Sequence, residues 1–155
     1  MARYKFRVFA DNGLFFLHDG DYDPDIDVEE FGKQVTKTRL AIFPGVIAIL
    51  AASQMSVPVD MQVLTKPPKE YFSKWDAVVE SGIVVPSGVL FLVGSGSTDE
   101  FGERMEVAPG CYGVRVYYGD QSALEDLEGN DYYKIVLWPL FQYSVRVLKR
   151  WRPSR

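Results

Sequence analysis

The amino-acid sequence predicts a mainly β protein, a single-domain antiparallel β-sandwich with one or two short helices. Three observations predict this fold class. The length of 155 residues suits one domain, and the 47% share of hydrophobic residues is enough for a core. Short runs of alternating apolar and polar residues recur between turn residues. We expect residues 1–148 to form the sandwich and residues 149–155 to form a basic tail.

The first element is an N-terminal strand. Residues 3–9 alternate charged and apolar side chains, which is typical of a strand with one face in water. Asn12-Gly13 separates this run from the apolar residues 14–17, and an Asn-Gly pair favours a type I′ turn. We therefore expect the first two strands to pair as a hairpin.

Further strands follow on the same two-residue period. In residues 57–64, for example, Val57 and Val59 share one face and Asp60 lies on the other. Turn residues separate the runs, as an antiparallel sandwich requires. The other predicted strands are 35–43, 46–52, 84–93 with a turn at 86–88, 112–118, 132–138 and 141–148.

Two segments predict helices. Residues 68–82 place apolar side chains on one helical face, with Pro68 in the first turn and Gly82 after the end. Residues 122–125 form a capping box, which predicts a very short helix that stops near Gly129.

Composition narrows the function classes. The net charge of −4 and the pI near 5.0 argue against direct nucleic-acid binding, which needs a basic face. The single cysteine excludes an internal disulfide and suits a reducing compartment. The N-terminal residues lack a signal-peptide core, and the apolar run 40–52 is too short to span a bilayer. We expect a cytoplasmic protein with no membrane partner.

Residues 19–30 concentrate negative charge, because an Asp occupies every second position from 19 to 27 and two Glu follow. The sequence leaves three interpretations open: a solvated loop, a patch that attracts a basic partner protein, or a calcium site. In the second interpretation, Tyr22 and Ile26 supply apolar contacts to the partner. The carboxylates concerned are Asp19, Asp21, Asp23, Asp25, Asp27 and Glu30.

The spacing of these carboxylates matches ligand positions 1, 3, 5, 7, 9 and 12 of an EF-hand loop. Position 6 of that loop needs Gly for a sharp turn, whereas this chain has Pro24, whose φ is locked at about −65°. The sequence therefore argues against an EF-hand, and no metal or other cofactor is expected. A calcium site here would be irregular and would use some of Asp19, Asp21, Asp23 and Asp25.

The chain offers little catalytic chemistry. His18 is predicted to be exposed at a strand end, and Cys111 is predicted to be a buried thiol that nothing nearby activates. Acidic residues are abundant, but no spacing selects a pair that would act in hydrolysis. The sequence therefore favours a non-enzymatic protein and predicts no catalytic residues.

Strand alternation also predicts an exposed aromatic face. Tyr117 shares its face with Arg115, and exposed Tyr beside Arg is typical of protein interfaces. The same rings could stack on sugars, which leaves a carbohydrate-binding alternative open. At the C-terminus, residues 149–155 carry four basic residues around Trp151, which we expect to pin this tail.

The pattern of residues 75–82, 107–117 and 133–139 is similar in order and spacing to small bacterial sandwich proteins of unknown role. It also distantly resembles the competence protein J family, which inhibits a DNA-entry nuclease. The resemblance covers residues 75–139. It implies a non-enzymatic protein that binds another protein, as an inhibitor or immunity factor.

These observations together predict a protein-binding module of inhibitor or immunity type that meets a basic partner through an acidic loop. A calcium- or carbohydrate-binding module is the alternative, and a carboxylate-dependent hydrolase is the third. The predicted partner-binding residues are Asp19, Asp21, Tyr22, Asp23, Asp25, Asp27, Glu30, Arg115 and Tyr117.

Overall fold

The strands and the helix of this chain were located in a computed structural model, which describes residues 2–97, 102–122, 129–140 and 144–152. In chain order they are β1 (Ala2–Phe9), β2 (Leu14–Asp19), α1 (Val28–Thr38), β3 (Leu40–Phe43), β4 (Val46–Leu50), β5 (Ser56–Val63), β6 (Ala77–Val85), β7 (Val89–Gly94), β8 (Glu103–Glu106), β9 (Gly110–Gly119), β10 (Tyr132–Pro139) and β11 (Arg146–Lys149). A short 3-10 turn, Asp11–Gly13, separates β1 from β2.

The strands form two sheets. A six-stranded sheet has the order β1-β5-β10-β9-β6-β11, and a five-stranded sheet has the order β3-β4-β2-β7-β8. Neighbouring strands pair antiparallel except β5 and β10, which run parallel. The predicted mainly β, single-domain sandwich is confirmed.

The core lies between the two sheets and follows the two-residue period of the strands. In β5, Val57, Val59 and Met61 are buried in it, as the alternation predicts. In β2, Phe15 and Leu17 point into the same core. Burial of such aliphatic and aromatic side chains is the main favourable contribution to folding.

Each sheet is also covered over part of its outer face. Residues 22–35 pack on an apolar cluster of the five-stranded sheet that includes Phe16 and Ala48. The irregular segment 64–76 packs on a cluster of the six-stranded sheet that includes Tyr117 and Trp138. Part of each outer face is therefore shielded from water.

The predicted hairpin of the first two strands is wrong. β1 pairs with β5, whereas β2 pairs with β4 and β7 in the other sheet. The turn itself has the backbone that Asn-Gly favours, with φ of 58° at Asn12 and 71° at Gly13. Ala51 N donates to Gly13 O at 2.8 Å, which ties the turn to the end of β4. The turn thus carries the chain from one sheet to the other.

The predicted helix over 68–82 is also wrong, because residues 64–76 are irregular and β6 begins at Ala77. Val78 and Val79 point to opposite faces of β6: Val79 enters the core and Val78 the outer cluster. Gly82 lies within β6, opposite Gly113 of β9. β-branched residues fit this pleated surface better than a helix.

The α-helix of the described residues, α1, occupies part of a predicted strand. Of residues 35–43, only Leu40–Phe43 form a strand; residues 35–38 belong to α1, and Arg39 is its C-cap. Residues 123–128 of the second predicted helix lie outside the described residues. Within the part of the chain that the structure describes, no helix has the length and apolar character needed to cross a membrane.

Candidate functional site

The acidic segment begins at Asp19, which is fully buried. Its carboxylate accepts hydrogen bonds from Ser87 Oγ at 2.7 Å, Ser87 N at 3.2 Å and Asp21 N at 2.8 Å. The expectation that Asp19 points outward is therefore wrong, because its side chain joins the end of β2 to the turn between β6 and β7. Asp19 anchors the acidic segment instead of presenting charge.

Residues 21–27 then alternate strictly between exposed acids and half-buried residues. The exposed acids are Asp21, Asp23, Asp25 and Asp27. Tyr22 and Ile26 pack on the outer cluster of the five-stranded sheet. Tyr22 lies so close to Gly45 that an added Cβ there would be 2.2 Å from the ring. Tyr22 thus contacts this chain's own surface, which corrects the expectation that it offers a free anchor to a partner.

The segment ends at the N-terminus of α1. Asp27 Oδ1 accepts from Glu29 N at 2.9 Å and Glu30 N at 3.1 Å, the usual contacts of an N-cap. Glu29 and Glu30 remain exposed in the first turn, where the helix dipole favours negative charge. We call the exposed acids of this surface the acidic ridge: Asp21, Asp23, Asp25, Asp27, Glu29 and Glu30.

The acidic residues do not form a calcium cage. Among the residues that the structure describes, no three His, Cys, Asp or Glu side chains come together in a way that could hold a metal ion. Asp19, Asp21, Asp23 and Asp25, the ligands of the predicted irregular site, therefore do not converge. The alternation of the segment explains this, because it aims successive Asp side chains outward along an extended chain.

We expect millimolar calcium to leave the thermal unfolding midpoint unchanged. Ligand binding to the native state raises stability only when the ligand concentration exceeds its dissociation constant. These carboxylates do not converge on one point where calcium could bind. Differential scanning fluorimetry with calcium, then with excess chelator, checks this. A rise in the midpoint that the chelator reverses would contradict the expectation.

The predicted exposed face of Arg115 and Tyr117 is wrong. Both side chains are buried on the outer face of the six-stranded sheet, beneath residues 64–76. Arg115 Nε and Nη2 donate to Glu80 Oε2 at 2.9 and 2.8 Å, and Arg115 Nη1 donates to Pro68 O at 3.3 Å. This pair therefore holds the covering segment in place and cannot meet a partner directly.

His18 and Cys111, the two side chains capable of nucleophilic chemistry, differ in burial from expectation. His18 is fully buried, not exposed, because β2 is the central strand of its sheet. Its ring stacks on Phe91 at 5.5 Å between centroids, and Nδ1 is 2.8 Å from Asp19 O. Cys111 is half-buried at the start of β9. A carboxylate-dependent hydrolase stays an untested prediction.

Two tyrosine doublets, Tyr117-Tyr118 and Tyr132-Tyr133, contain the rings on which a sugar could stack. Tyr117, Tyr118 and Tyr133 are buried, whereas Tyr132 is 38% exposed. The carbohydrate alternative would therefore depend on Tyr132 among the four rings of the doublets.

The start of the C-terminal tail lies on the sandwich. Trp151 packs against the core, as expected, with the Arg39 guanidinium 5.4 Å from its ring centroid. Arg150 Nη1 donates to Lys37 O at 3.2 Å near the end of α1. The domain boundary at residue 148 stays a prediction.

A basic groove that was not predicted from the sequence lies on the outer face of the six-stranded sheet. It has a volume of about 320 Å³ and is lined by residues of β1, β5, β10 and the segment 64–76. Four cations line it: Arg3, Lys5, Lys74 and Lys134. The alternation of Arg3 and Lys5 in β1 is the signal in the sequence, since it places both on one face. The acidic ridge and the basic groove therefore lie over opposite sheets of the sandwich.

Comparison with known proteins identifies a fold. No family model and no curated protein sequence matches the chain. A solved structure described as crocagin biosynthetic gene J is 15% identical with a TM-score of 0.59, covering 90% of this chain and 99% of that chain. ComJ from Bacillus subtilis, the inhibitor of the DNA degrading activity of NucA, is 10% identical with a TM-score of 0.58, covering 88% of this chain and 95% of that chain. The chain thus shares the fold of ComJ, and the distant resemblance extends over most of its length.

Proposed function

We propose that this protein is a non-enzymatic, protein-binding module of inhibitor type that meets a basic surface of its partner through the acidic ridge. One observation carries the proposal: the ridge acids are exposed at alternate positions while the residues between them are packed on the sheet. A loop that served only solubility would not need such anchoring.

The anchoring lowers the cost of binding. Tyr22 and Ile26 rest on the outer cluster, Asp19 is held by Ser87, and Asp27 caps α1. The backbone of the segment is therefore ordered before a partner arrives. Binding then loses less conformational entropy than it would with a flexible loop.

The charge of the ridge favours encounter with a cationic surface. Among the described residues, the ion pair of a ridge acid joins Lys33 Nζ to Glu29 Oε1 at 3.9 Å. Both side chains are largely exposed. Such an exposed pair neutralises little. A local excess of negative charge speeds association with a basic partner, most strongly at low ionic strength.

The description of ComJ as an inhibitor supports the inhibitor-type role proposed for this protein. ComJ is described as an inhibitor of the DNA degrading activity of NucA, so a protein of this fold acts on a DNA-degrading activity. A surface that binds DNA is arranged to contact regularly spaced phosphates. Carboxylates spaced along an extended segment can occupy such a surface as phosphate substitutes.

Neutralising Asp21, Asp23 and Asp25 together to Asn tests the proposal. We expect the association rate with the partner to fall by about tenfold at low salt, because steering depends on this local charge. Partners are captured from extract of the native cells, and their association rates are measured by biolayer interferometry at two salt concentrations. Asp27 is kept because its negative charge at the N-cap of α1 also interacts favourably with the helix dipole, which an Asn would lose.

A matched control has the same change in net charge elsewhere. Asp60→Asn, Glu70→Gln and Asp120→Asn together neutralise three acids of β5, of the segment 64–76 and directly after β9, none of which belongs to the five-stranded sheet that carries the ridge. We expect this control to bind at nearly the wild-type rate. A partner that associates equally fast with the ridge variant and the wild type would refute the role of the ridge.

A further inference from the structure

The basic groove gathers charge from three separate parts of the chain. Lys5 of β1 and Lys134 of β10 both lie opposite Asp60 of β5, which places the three side chains in one row across the outer face. Lys74 reaches the same groove from the segment 64–76. The fold thus brings together lysines that are far apart in sequence.

The carboxylate in this row does not neutralise the lysines. Arg3 holds Asp60 with Nη2 3.0 Å from Oδ2 and Nε 3.4 Å from Oδ1. Among the ion pairs of the described residues, none includes Lys5, Lys74 or Lys134. The groove therefore carries an excess of positive charge.

Two of these lysines are held in position by aromatic rings. The Lys74 amine lies 5.3 Å from the Trp75 ring centroid, and the Lys134 amine lies 5.3 Å from the Tyr117 ring centroid. Cation–π contacts of this kind orient an ammonium group without neutralising it. The two amines remain available to an anion, and less side-chain entropy is lost when it binds.

The crowding of charge also affects Lys134. Burial lowers the pKa of its amine, and the neighbouring charges of Lys74 and Arg3 act in the same direction, while Asp60 opposes them. An anion bound between these groups would relieve the repulsion.

The size of the groove and its aromatic wall indicate the class of ligand. A volume of about 320 Å³ lies at the lower end of the range for small-molecule sites and is far too small for a folded domain. Tyr132 lines the groove and is one of the exposed large side chains of the protein. A planar ring could stack on it.

We propose that the basic groove binds a phosphorylated small molecule that carries a planar ring, of the nucleotide class. Its phosphates contact Lys134, Lys74 and Lys5, and its ring lies against Tyr132. Lysine binds phosphate as a concentrated point charge, which suits three amines that reach the groove from β1, from β10 and from the segment 64–76. This site is independent of the acidic ridge, because the two lie over opposite sheets.

Isothermal titration calorimetry with ADP, pyrophosphate and adenosine tests this site in the full chain. We expect ADP to bind, pyrophosphate to bind more weakly and adenosine not to bind measurably. Lys134→Ala should weaken ADP binding about tenfold, which is the loss of roughly one charge-assisted contact. Tyr132→Leu should weaken ADP binding while leaving pyrophosphate binding unchanged. Lys33→Ala removes one exposed positive charge from the opposite side and should change neither.

Thermal melts of each variant establish that it is folded. The proposal is overturned if ADP fails to bind at millimolar concentration, if Lys134→Ala binds ADP as the wild type does, or if citrate binds as tightly as ADP. An eight-nucleotide single strand that binds more than a hundredfold more tightly than ADP would also overturn it, because the site would then serve a nucleic acid.

Discussion

Replacing Glu80 by Ala is expected to destabilise the protein by about 3–5 kcal/mol, because Arg115 would remain buried without its carboxylate. The Glu80 and Arg115 side chains are both buried, and they lie directly opposite each other on β6 and β9. A guanidinium group cannot lose its charge to escape this cost, since its pKa is far above neutrality.

The damage should extend to the segment 64–76. The Arg115 guanidinium contacts the rings of Phe72 and Trp138, at 5.4 and 5.6 Å from their centroids. Its Nη1 donates to the Pro68 and Lys69 carbonyls at 3.3 and 3.4 Å. If the Arg115 side chain moved to reach water, it would lose these contacts with the segment 64–76. We therefore expect faster trypsin cleavage after Lys69 in the variant.

Urea unfolding gives the free-energy change, and limited trypsin digestion reports on the segment. The control is the double variant Glu80→Leu with Arg115→Met, which removes both charges and keeps similar volume; we expect it to recover most of the loss. A Glu80→Ala protein within 1 kcal/mol of the wild type would show that the pair does not hold this face together.

The two-residue period predicts which side chains share a face, but not which face is covered. Arg115 and Tyr117 do share a face, as the alternation indicates, yet residues 64–76 bury it. Contacts between distant parts of the chain determine where a covering segment lies. A local sequence pattern carries no information about such contacts. The incorrect helix over 68–82 has the same origin, since Val78 and Val79 suit a helical face and a strand equally by spacing.

The candidate site was predictable only in part. The alternating acids of 21–27 are visible in the sequence, and their exposure follows from the apolar residues between them. The burial of Asp19 was not predictable, because Ser87 comes from a turn far along the chain. The basic groove required the pairing of β1 and β10 with β5, and that register is a property of the folded sheet.

Stability is expected to fall steeply above pH 10, by up to about 5 kcal/mol between pH 10 and pH 12. Burial raises the pKa of Tyr118, and burial together with Asp131 raises the pKa of Tyr133, so both phenols stay protonated in the folded state. In the unfolded chain they ionise at about pH 10. The stabilisation is therefore fully present below pH 10 and is lost as the pH rises through the folded-state pKa values. Each group contributes about 1.4 kcal/mol per pH unit in this window.

The contacts of the two hydroxyl groups explain why neither can ionise in place. Tyr118 OH donates to Arg39 O at 2.9 Å, and Tyr133 OH donates to Asp131 Oδ2 at 2.6 Å. A phenolate at either position would face an oxygen atom in a buried site, so the proton leaves only when the protein unfolds.

Urea unfolding at pH 8, 10, 11 and 12 checks this, with tyrosinate absorbance followed in the same samples. In Tyr118→Phe we expect a loss of about 1 kcal/mol at pH 8, from the missing hydrogen bond. The same variant should lose only about 2.5 kcal/mol between pH 10 and pH 12, half the wild-type loss, because one of the two titrating groups is gone. Tyrosinate that appears in the still-folded wild type, with stability unchanged up to pH 12, would show that these rings reach water without unfolding. The steep dependence requires instead that ionisation and unfolding occur together, as the full burial of Tyr118 demands.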